Sequence, residues 1–177
     1  MRPGQDPGWS ESGNVADTIG EFIKRDHDDF RLMFERLWES GPAEISLRQE
    51  VYPFLVNRIL CHHVAEEATI FPLMEKKPEL VDITLLLIEE HRGMAMLARD
   101  LLETPSGDRL WRPRIFPFYD VICNHWKREE TEVFPHSWYY FSGKELCDIG
   151  DRFRKVLERE WRVKKVHAGI PELMFRR

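Results

Sequence analysis

The chain has 177 residues, a formal net charge of −5, 42% hydrophobic residues and 32% charged residues. This length is typical of one domain, and the composition is too apolar for a wholly disordered chain. The acidic balance argues against a nucleic acid as partner, and no apolar run nears the roughly 20 residues that span a bilayer. Three cysteines without a C-x-x-C pair, and an N-terminus without an apolar segment, predict a reduced cytoplasmic protein with no membrane partner.

The first elements predicted along the chain are a leader and one amphipathic helix. Residues 1–13 are rich in Gly, Pro, Ser and charge, which predicts a flexible leader. Asn14 with Asp17 can cap a helix whose apolar residues keep one face as far as about Trp38. The dipeptide Gly41-Pro42 then ends this helix.

Two further helices follow, each with its own start signal. Ser46 and Gln49 have the spacing of a capping box, which predicts a second helix that runs to about Met74. Pro78 suits the first turn of a third helix, and that helix stops at the turn signal around Pro105.

The last part of the chain predicts two more helices and completes the fold class. A fourth helix covers about 110–137, and a capping box formed by Ser142 and Glu145 opens a fifth. Alternation typical of strands is missing from the sequence, and long helices joined by short loops favour an up-and-down antiparallel four-helix bundle. We therefore predict an all-α bundle over residues 14–140, with an additional C-terminal helix and tail over 141–177 packed on it.

An internal repeat contains most of the histidines. HHVAEEATIFP begins at His62 and HWKREETEVFP begins at His125, and the two segments share a His, two adjacent Glu residues and a Phe-Pro pair. At nearly the same offset, the segment around His27 matches the segment around His91. The chain is therefore predicted to be two helix pairs of one design, each with a lone His on its first helix and H-x-x-x-E on its second.

The spacing of the repeat predicts a metal site. Residues i and i+4 share a helical face, so His62 points the same way as Glu66, and His125 the same way as Glu129. The neighbours on these faces are apolar, and burying two ionised carboxylates without a cation is very unfavourable. A pair of metal ions, each bound by two His and bridged by both Glu, resolves this, and imidazole with carboxylate suits iron, manganese or zinc. The six candidate ligands are His27, His62, Glu66, His91, His125 and Glu129.

The register on the second helix has an alternative. His63 and Glu67 also stand four residues apart, but His63 aligns with Trp126 in the repeat, and an indole cannot ligate a metal. His63 stays a candidate for an extra ligand or for a group that supports the ligands. The remaining acidic neighbours are interpreted as solvated or supporting groups, and two unmatched histidines as surface residues: Asp26, Glu67, Glu90 and Glu130; His136 and His167.

The pattern H…HHxxEExxxFP…EEH…HxxxEExxxFP resembles the hemerythrin-like (HHE cation-binding) family over roughly residues 15–140. The resemblance implies a four-helix bundle around two non-haem iron ions, in preference to manganese or zinc, with the same six residues as ligands and both Glu as bridges. Ferritin-like di-iron bundles are the near competitor, but they need Glu three residues before a His, and no histidine here has one.

One departure from the oxygen-carrying members of that family concerns the third helix. They have H-x-x-x-H there, whereas His91 has Ala95 at i+4 and Leu87 at i−4. The centre thus keeps open positions, unless His63, Tyr119 or water fills one. An open site favours an oxidoreductase that binds or activates O2, peroxide, NO or a small substrate, as a monomer or homodimer. The alternative is an iron or oxygen sensing, storage or carrier module without turnover.

Overall fold

The computed structural model describes residues 17–168, and the side chains of residues 17–163. Within this part all regular structure is helical, which confirms the predicted all-α fold with a further C-terminal helix. A 3₁₀ turn, Pro78–Leu80, precedes α4, and a π-helical turn, Glu129–Val133, follows α5. The helices are α1 (Ile19–Glu39), α2 (Ile45–Thr69), α3 (Phe71–Met74), α4 (Val81–Glu103), α5 (Trp111–Arg128), α6 (Phe134–Ser137) and α7 (Gly143–Ala168).

The start of α1 differs from the prediction. Thr18 is the N-cap residue, and the Glu21 carboxylate accepts hydrogen bonds from the Thr18 backbone N–H at 2.7 Å and hydroxyl at 2.8 Å. Asp17 instead forms an ion pair with Arg25 at 2.8 Å, and Asn14 lies outside the described residues. The cap falls at Thr18 because its carbonyl already accepts the first N–H bonds of the helix.

Of the two predicted capping boxes, the one at Ser46 is wrong and the one at Ser142 is confirmed. The helix α2 already begins at Ile45, which places Ser46 inside the first turn, and Glu44 is the N-cap residue. The Glu44 carboxylate accepts the Gly41 N–H at 2.6 Å and so closes the preceding turn. At α7, the Ser142 backbone N–H and hydroxyl both donate to Glu145, at 2.8 and 2.7 Å.

The predicted fourth helix is interrupted rather than continuous. After α5 ends at Arg128, the chain makes the π-helical turn Glu129–Val133 before α6. Pro135 has no N–H, which suits its place in the first turn of the short helix α6. Pro72 occupies the equivalent place in the first turn of α3, after the corresponding break at the end of α2, so each Phe-Pro pair of the repeat begins a new short helix.

The apolar core is divided into two clusters along the helix axes. On α1, for example, Ile23 belongs to one cluster and Phe30 to the other, and the intervening face carries His27. The helix α7 packs on α1 and α2, and it adds Leu146, Ile149 and Phe153 to the cluster that contains Ile23. The bundle therefore has a polar layer between two apolar regions. None of the described helices is long and apolar enough to cross a membrane.

Candidate metal centre

Four elements of the bundle and one turn direct polar side chains into the layer between the two apolar clusters. The helix α1 contributes one histidine, α2 a histidine and a glutamate, α4 and α5 one histidine each, and the π-helical turn begins with the second glutamate. All six side chains are 0–4% exposed. They are the six residues that the sequence analysis selected: His27, His62, Glu66, His91, His125 and Glu129.

These six residues form two overlapping groups. Each group takes two histidines and both glutamates, and within each group the potential ligand atoms lie within 4.8 Å of one another. The groups are His27 and His62 with Glu66 and Glu129, and His91 and His125 with the same two glutamates. Each group has the donor set of one metal ion that is bound by two imidazoles and two carboxylates.

Each glutamate divides its two oxygens between the groups. Glu66 places Oε1 at 3.3 Å from Nε2 of His62 and Oε2 at 3.4 Å from Nε2 of His91. Glu129 places Oε2 at 3.4 Å from Nε2 of His27 and Oε1 at 3.3 Å from Nε2 of His125. A carboxylate with one oxygen in each of two neighbouring donor sets has the arrangement of a bridging ligand.

The outer ring nitrogen of each of these four histidines contacts a carboxylate from a neighbouring element. Each Nδ1 lies 2.8–3.0 Å from a carboxylate oxygen, to which it donates a hydrogen bond. The pairs are His27 with Glu130, His62 with Asp26, His91 with Glu67, and His125 with Glu90. Such carboxylates fix the orientation and tautomer of metal-binding histidines, and they raise the basicity of the inner nitrogen.

From the sequence alone, these four acidic residues could be either solvated or in contact with the ligands. The repeat already contained a sharper signal, because Asp26 matches Glu90 at an offset of 64 residues and Glu67 matches Glu130 at 63. Each of the four also adjoins one of the six central residues in sequence, and it contacts a histidine on another helix. The sequence could not show which histidine each acidic residue contacts, because that histidine lies on another element and the pairing depends on how the bundle folds.

Arginines neutralise three of the four outer carboxylates. Arg31 donates to Glu130 at 2.8 Å, Arg58 donates to Asp26 at 3.0 Å, and Arg128 donates to Glu90. These ion pairs are 9–28% exposed, so solvent screens them less than it would screen a pair on the open surface.

The inner nitrogens of the four histidines face one another in pairs across the centre. In a neutral ring that donates from Nδ1, Nε2 carries only a lone pair. The Nε2 atoms of His27 and His62 are 3.2 Å apart, and those of His91 and His125 are 3.1 Å apart. All four carboxylate oxygens of Glu66 and Glu129 are buried and accept no hydrogen bond of good geometry. Because lone pairs and negative charge converge here, the residues fit a pair of cations.

The comparisons with known proteins agree with this geometry. The model of the hemerythrin HHE cation-binding domain matches residues 18–137. The chain belongs to this family. A crystal structure of a hemerythrin HHE cation-binding domain-containing protein from Mycobacterium kansasii is similar to it, with a TM-score of 0.73 over 85% of this chain and 93% of that chain. The sequence identity is 18%, so the likeness concerns the fold alone, and no curated protein sequence matches.

In the metal-free hemerythrin-like domain, protonated histidines offset part of the negative charge of the two central glutamates. Burial by itself would lower the pKa of His62, but Glu66 and Asp26 outweigh it and raise that pKa to about 10. Burial likewise opposes protonation of His125, while Glu129 and Glu90 raise its pKa to about 9. Burial would raise the pKa of Glu66, yet the adjacent His62 and His91 hold it well below its usual range.

His63 lies beside the second donor group, and its place in the centre was left open by the sequence. Its ring is 3% exposed and stacks on His91 with centroids 3.8 Å apart and an interplanar angle of 8°. A ring nitrogen of His63 lies within 4.8 Å of ring nitrogens of His91 and His125. Neither His63 nitrogen has a hydrogen-bond partner among the described residues.

The other residues considered for the site lie elsewhere. The Tyr119 ring contacts Phe34 and Trp38, and its hydroxyl pairs with Cys123, so its contacts are not with the six central residues. His136 is exposed, and its Nδ1 donates to the backbone carbonyl of Glu132. The side chain of His167 lies outside the described residues.

Proposed function

We propose that this hemerythrin-like domain is a non-haem di-iron protein that binds or activates O2, peroxide or NO with oxidoreductase-type chemistry. His27 and His62 would hold one metal ion, and His91 and His125 would hold the other. Glu66 and Glu129 each place one oxygen in both donor groups, so they would serve both ions and complete the proposed set of six ligands.

The observation that carries this proposal is the state of the two bridging carboxylates. Their four oxygens are buried and accept no hydrogen bond, and each lies 3.3–3.4 Å from an imidazole nitrogen. An uncompensated buried carboxylate costs several kcal/mol even after the protein relaxes. A site that keeps two of them side by side is best explained by the charge of metal ions.

The donor types restrict the metal to a small range, and the family resemblance favours iron within that range. Two imidazoles and two carboxylates for each ion suit iron, manganese and zinc better than the hard cations calcium and magnesium. The matching family model describes a cation-binding domain. The resemblance of the sequence motifs to hemerythrin-like proteins implies that the cation is iron. Bound iron would supply redox chemistry and Lewis acidity to a small molecule.

The burial of the centre restricts the size of the substrate. Since the six central side chains are at most 4% exposed, a molecule of a few atoms can approach them with less rearrangement than a large organic substrate needs. The chain contributes orientation and exclusion of water. Asp26 and the other outer carboxylates keep a proton on each Nδ1, and the apolar clusters on both sides limit the access of water.

An anaerobic titration with Fe(II), followed by metal analysis, tests the proposal. We expect two iron ions per chain, near-ultraviolet absorption after oxidation, and a change in that absorption when NO, O2 or peroxide is added. His136→Ala is the matched control, because it removes an exposed histidine and should leave the stoichiometry at two. Fewer than two ions in carefully loaded wild-type protein would contradict the proposal.

A contact of α7 favours a second candidate function, in which the domain senses iron or oxygen without turnover. The Phe153 ring packs edge-on against His62 with centroids 5.4 Å apart, so the ligand layer touches a helix that lies outside the family match. Metal occupancy could thereby change the packing of α7. Hydrogen exchange of α7 that differs between metal-free and iron-loaded protein, without consumption of O2 or peroxide, would favour sensing over catalysis.

A further inference from the structure

The four outer carboxylates differ in their exposure and in their charged partners. Asp26, Glu130 and Glu90 are 9%, 18% and 21% exposed, and each forms an ion pair with an arginine. Glu67 is 42% exposed, and within the described part of the chain no lysine or arginine forms an ion pair with it. Of the four pairs of an outer carboxylate with its histidine, three are therefore closed by a guanidinium, and the Glu67–His91 pair is open and negatively charged.

We infer that metal ions enter the bundle at the Glu67–His91 pair, with the Glu67 carboxylate as their first protein ligand. The ligand class is a hydrated divalent cation on its way to the centre. Only Oε1 of Glu67 takes part in the contact with His91, which leaves Oε2 for the cation. The inference rests on the di-metal centre proposed above, and it assigns a transient binding site outside that centre.

The His91 ring connects this surface carboxylate to the interior. Its Nδ1 lies 2.8 Å from Oε1 of Glu67, and its Nε2 lies 3.4 Å from Oε2 of Glu66. A cation at Glu67 is thus separated from a central carboxylate by the width of one imidazole. The oxygens of Glu66 are buried and accept no hydrogen bond of good geometry, so they attract the cation further inward.

The charges around the other three pairs oppose entry there. A cation that approaches them meets a guanidinium, and like charges repel. These arginines are 19–28% exposed, so solvent screens their charge only in part. The last turn of α2, which contains Glu67, holds no basic residue. Because a local charge raises the concentration of the opposite ion and its rate of association, this distribution directs cations to Glu67. The three arginines are Arg31, Arg58 and Arg128.

Stopped-flow mixing of the metal-free full chain with Co(II) tests the inference, because the visible absorption of Co(II) changes when nitrogen ligands bind it. Glu67→Gln should slow uptake about 10-fold, and Glu67→Lys, which places a positive charge at the open pair, should slow it further. Glu67→Asp keeps the negative charge and should retain most of the wild-type rate. Added salt should slow uptake by wild type more than uptake by Glu67→Gln.

Glu90→Gln is the matched control, because it also removes the carboxylate that accepts from a histidine Nδ1. This carboxylate contacts His125, in a pair that Arg128 closes. Its loss should weaken metal binding through faster release, while the uptake rate should stay within about twofold of wild type. A role of Glu67 in orienting His91 alone predicts this same pattern for Glu67→Gln, so the uptake rate distinguishes entry from orientation.

The outcomes separate this inference from the proposed function. Wild-type protein that takes up fewer than two ions would overturn both. Two ions in wild type, with equal uptake rates in wild type, Glu67→Gln and Glu90→Gln, would overturn the entry site alone. Slower uptake in Glu90→Gln than in Glu67→Gln would also overturn it, since the cation would then enter beside Arg128.

Discussion

The two nitrogens of each central histidine have different partners, and this division sets the chemistry at the scale of the residue. Nδ1 of His62 donates to Asp26 at 3.0 Å, while Nε2 faces Glu66 at 3.3 Å. The outer contact fixes the tautomer and the ring orientation, so the inner lone pair is held in place before any cation binds. The same division repeats at the other three central histidines.

Substitution of adjacent glutamates on α2 tests which carboxylate bridges. Glu66→Gln should remove the charge shared by both metal positions and cost at least one ion per chain, because the remaining donors carry too little negative charge. Glu67→Gln changes only the group that accepts from Nδ1 of His91, so it should retain two ions with about 10- to 100-fold weaker affinity. Metal analysis after dialysis distinguishes them, and the reverse result would assign the bridge to Glu67.

The outer carboxylates can be tested on α4 with two adjacent glutamates. Glu90 accepts from Nδ1 of His125 at 2.8 Å, whereas Glu89 pairs with the exposed Arg92. Glu90→Gln should weaken binding of one metal ion by about 10- to 100-fold, measured by competition with a chelator. The control Glu89→Gln should not change the affinity, and equal effects of the two variants would show that Glu90 acts only through the net charge.

At the scale of the element, α7 supports the centre by packing against the helices that carry the ligands. Phe153 is 1% exposed and belongs to the apolar cluster that contains Ile23. Phe153→Ala should therefore lower the free energy of unfolding by about 3–5 kcal/mol. Val163→Ala, at a side chain 49% exposed on the same helix, should change it by less than about 0.5 kcal/mol. Urea unfolding of both variants measures this, and a mild Phe153→Ala variant would mean that α7 is only loosely docked.

Periodicity and spacing were sufficient to predict the bundle and to select the side chains that the fold brings together. The H-x-x-x-E repeat works because a helix places i and i+4 on one face wherever it packs. The π-helical turn at Glu129 could not be predicted, since its hydrogen bonds depend on how Pro135 and the neighbouring helices accommodate one another. The role of His63 was also open, because α2 is apolar on nearly all sides and its register depends on α4 and α5.

At the scale of the whole molecule, the metal-free bundle should be sensitive to alkaline pH. The pKa values of His62 and His125 are raised to about 10 and 9, so their protonated forms stabilise the fold fully below the unfolded value near 6.5. This stabilisation is lost as pH rises through about 9–10. The free energy of unfolding should therefore fall progressively as the pH rises from about 7 to about 9.

Metal-loaded protein provides the control for that pH dependence. Bound cations replace the protons at the inner nitrogens, so loading should release protons and should remove most of the alkaline loss of stability. Urea unfolding at pH 7, 8 and 9, with and without metal, measures the difference. Equal stability of the metal-free protein across this range would contradict the close contact of His62 and His125 with the two bridging carboxylates.

Anomalous diffraction at the iron absorption edge, from crystals of the iron-loaded protein, tests the central claim most directly. The account predicts two peaks inside the bundle, one beside Nε2 of His27 and His62 and the other beside Nε2 of His91 and His125. Both peaks should contact Glu66 and Glu129. A single peak, or peaks outside the layer between the two apolar clusters, would contradict the di-metal centre.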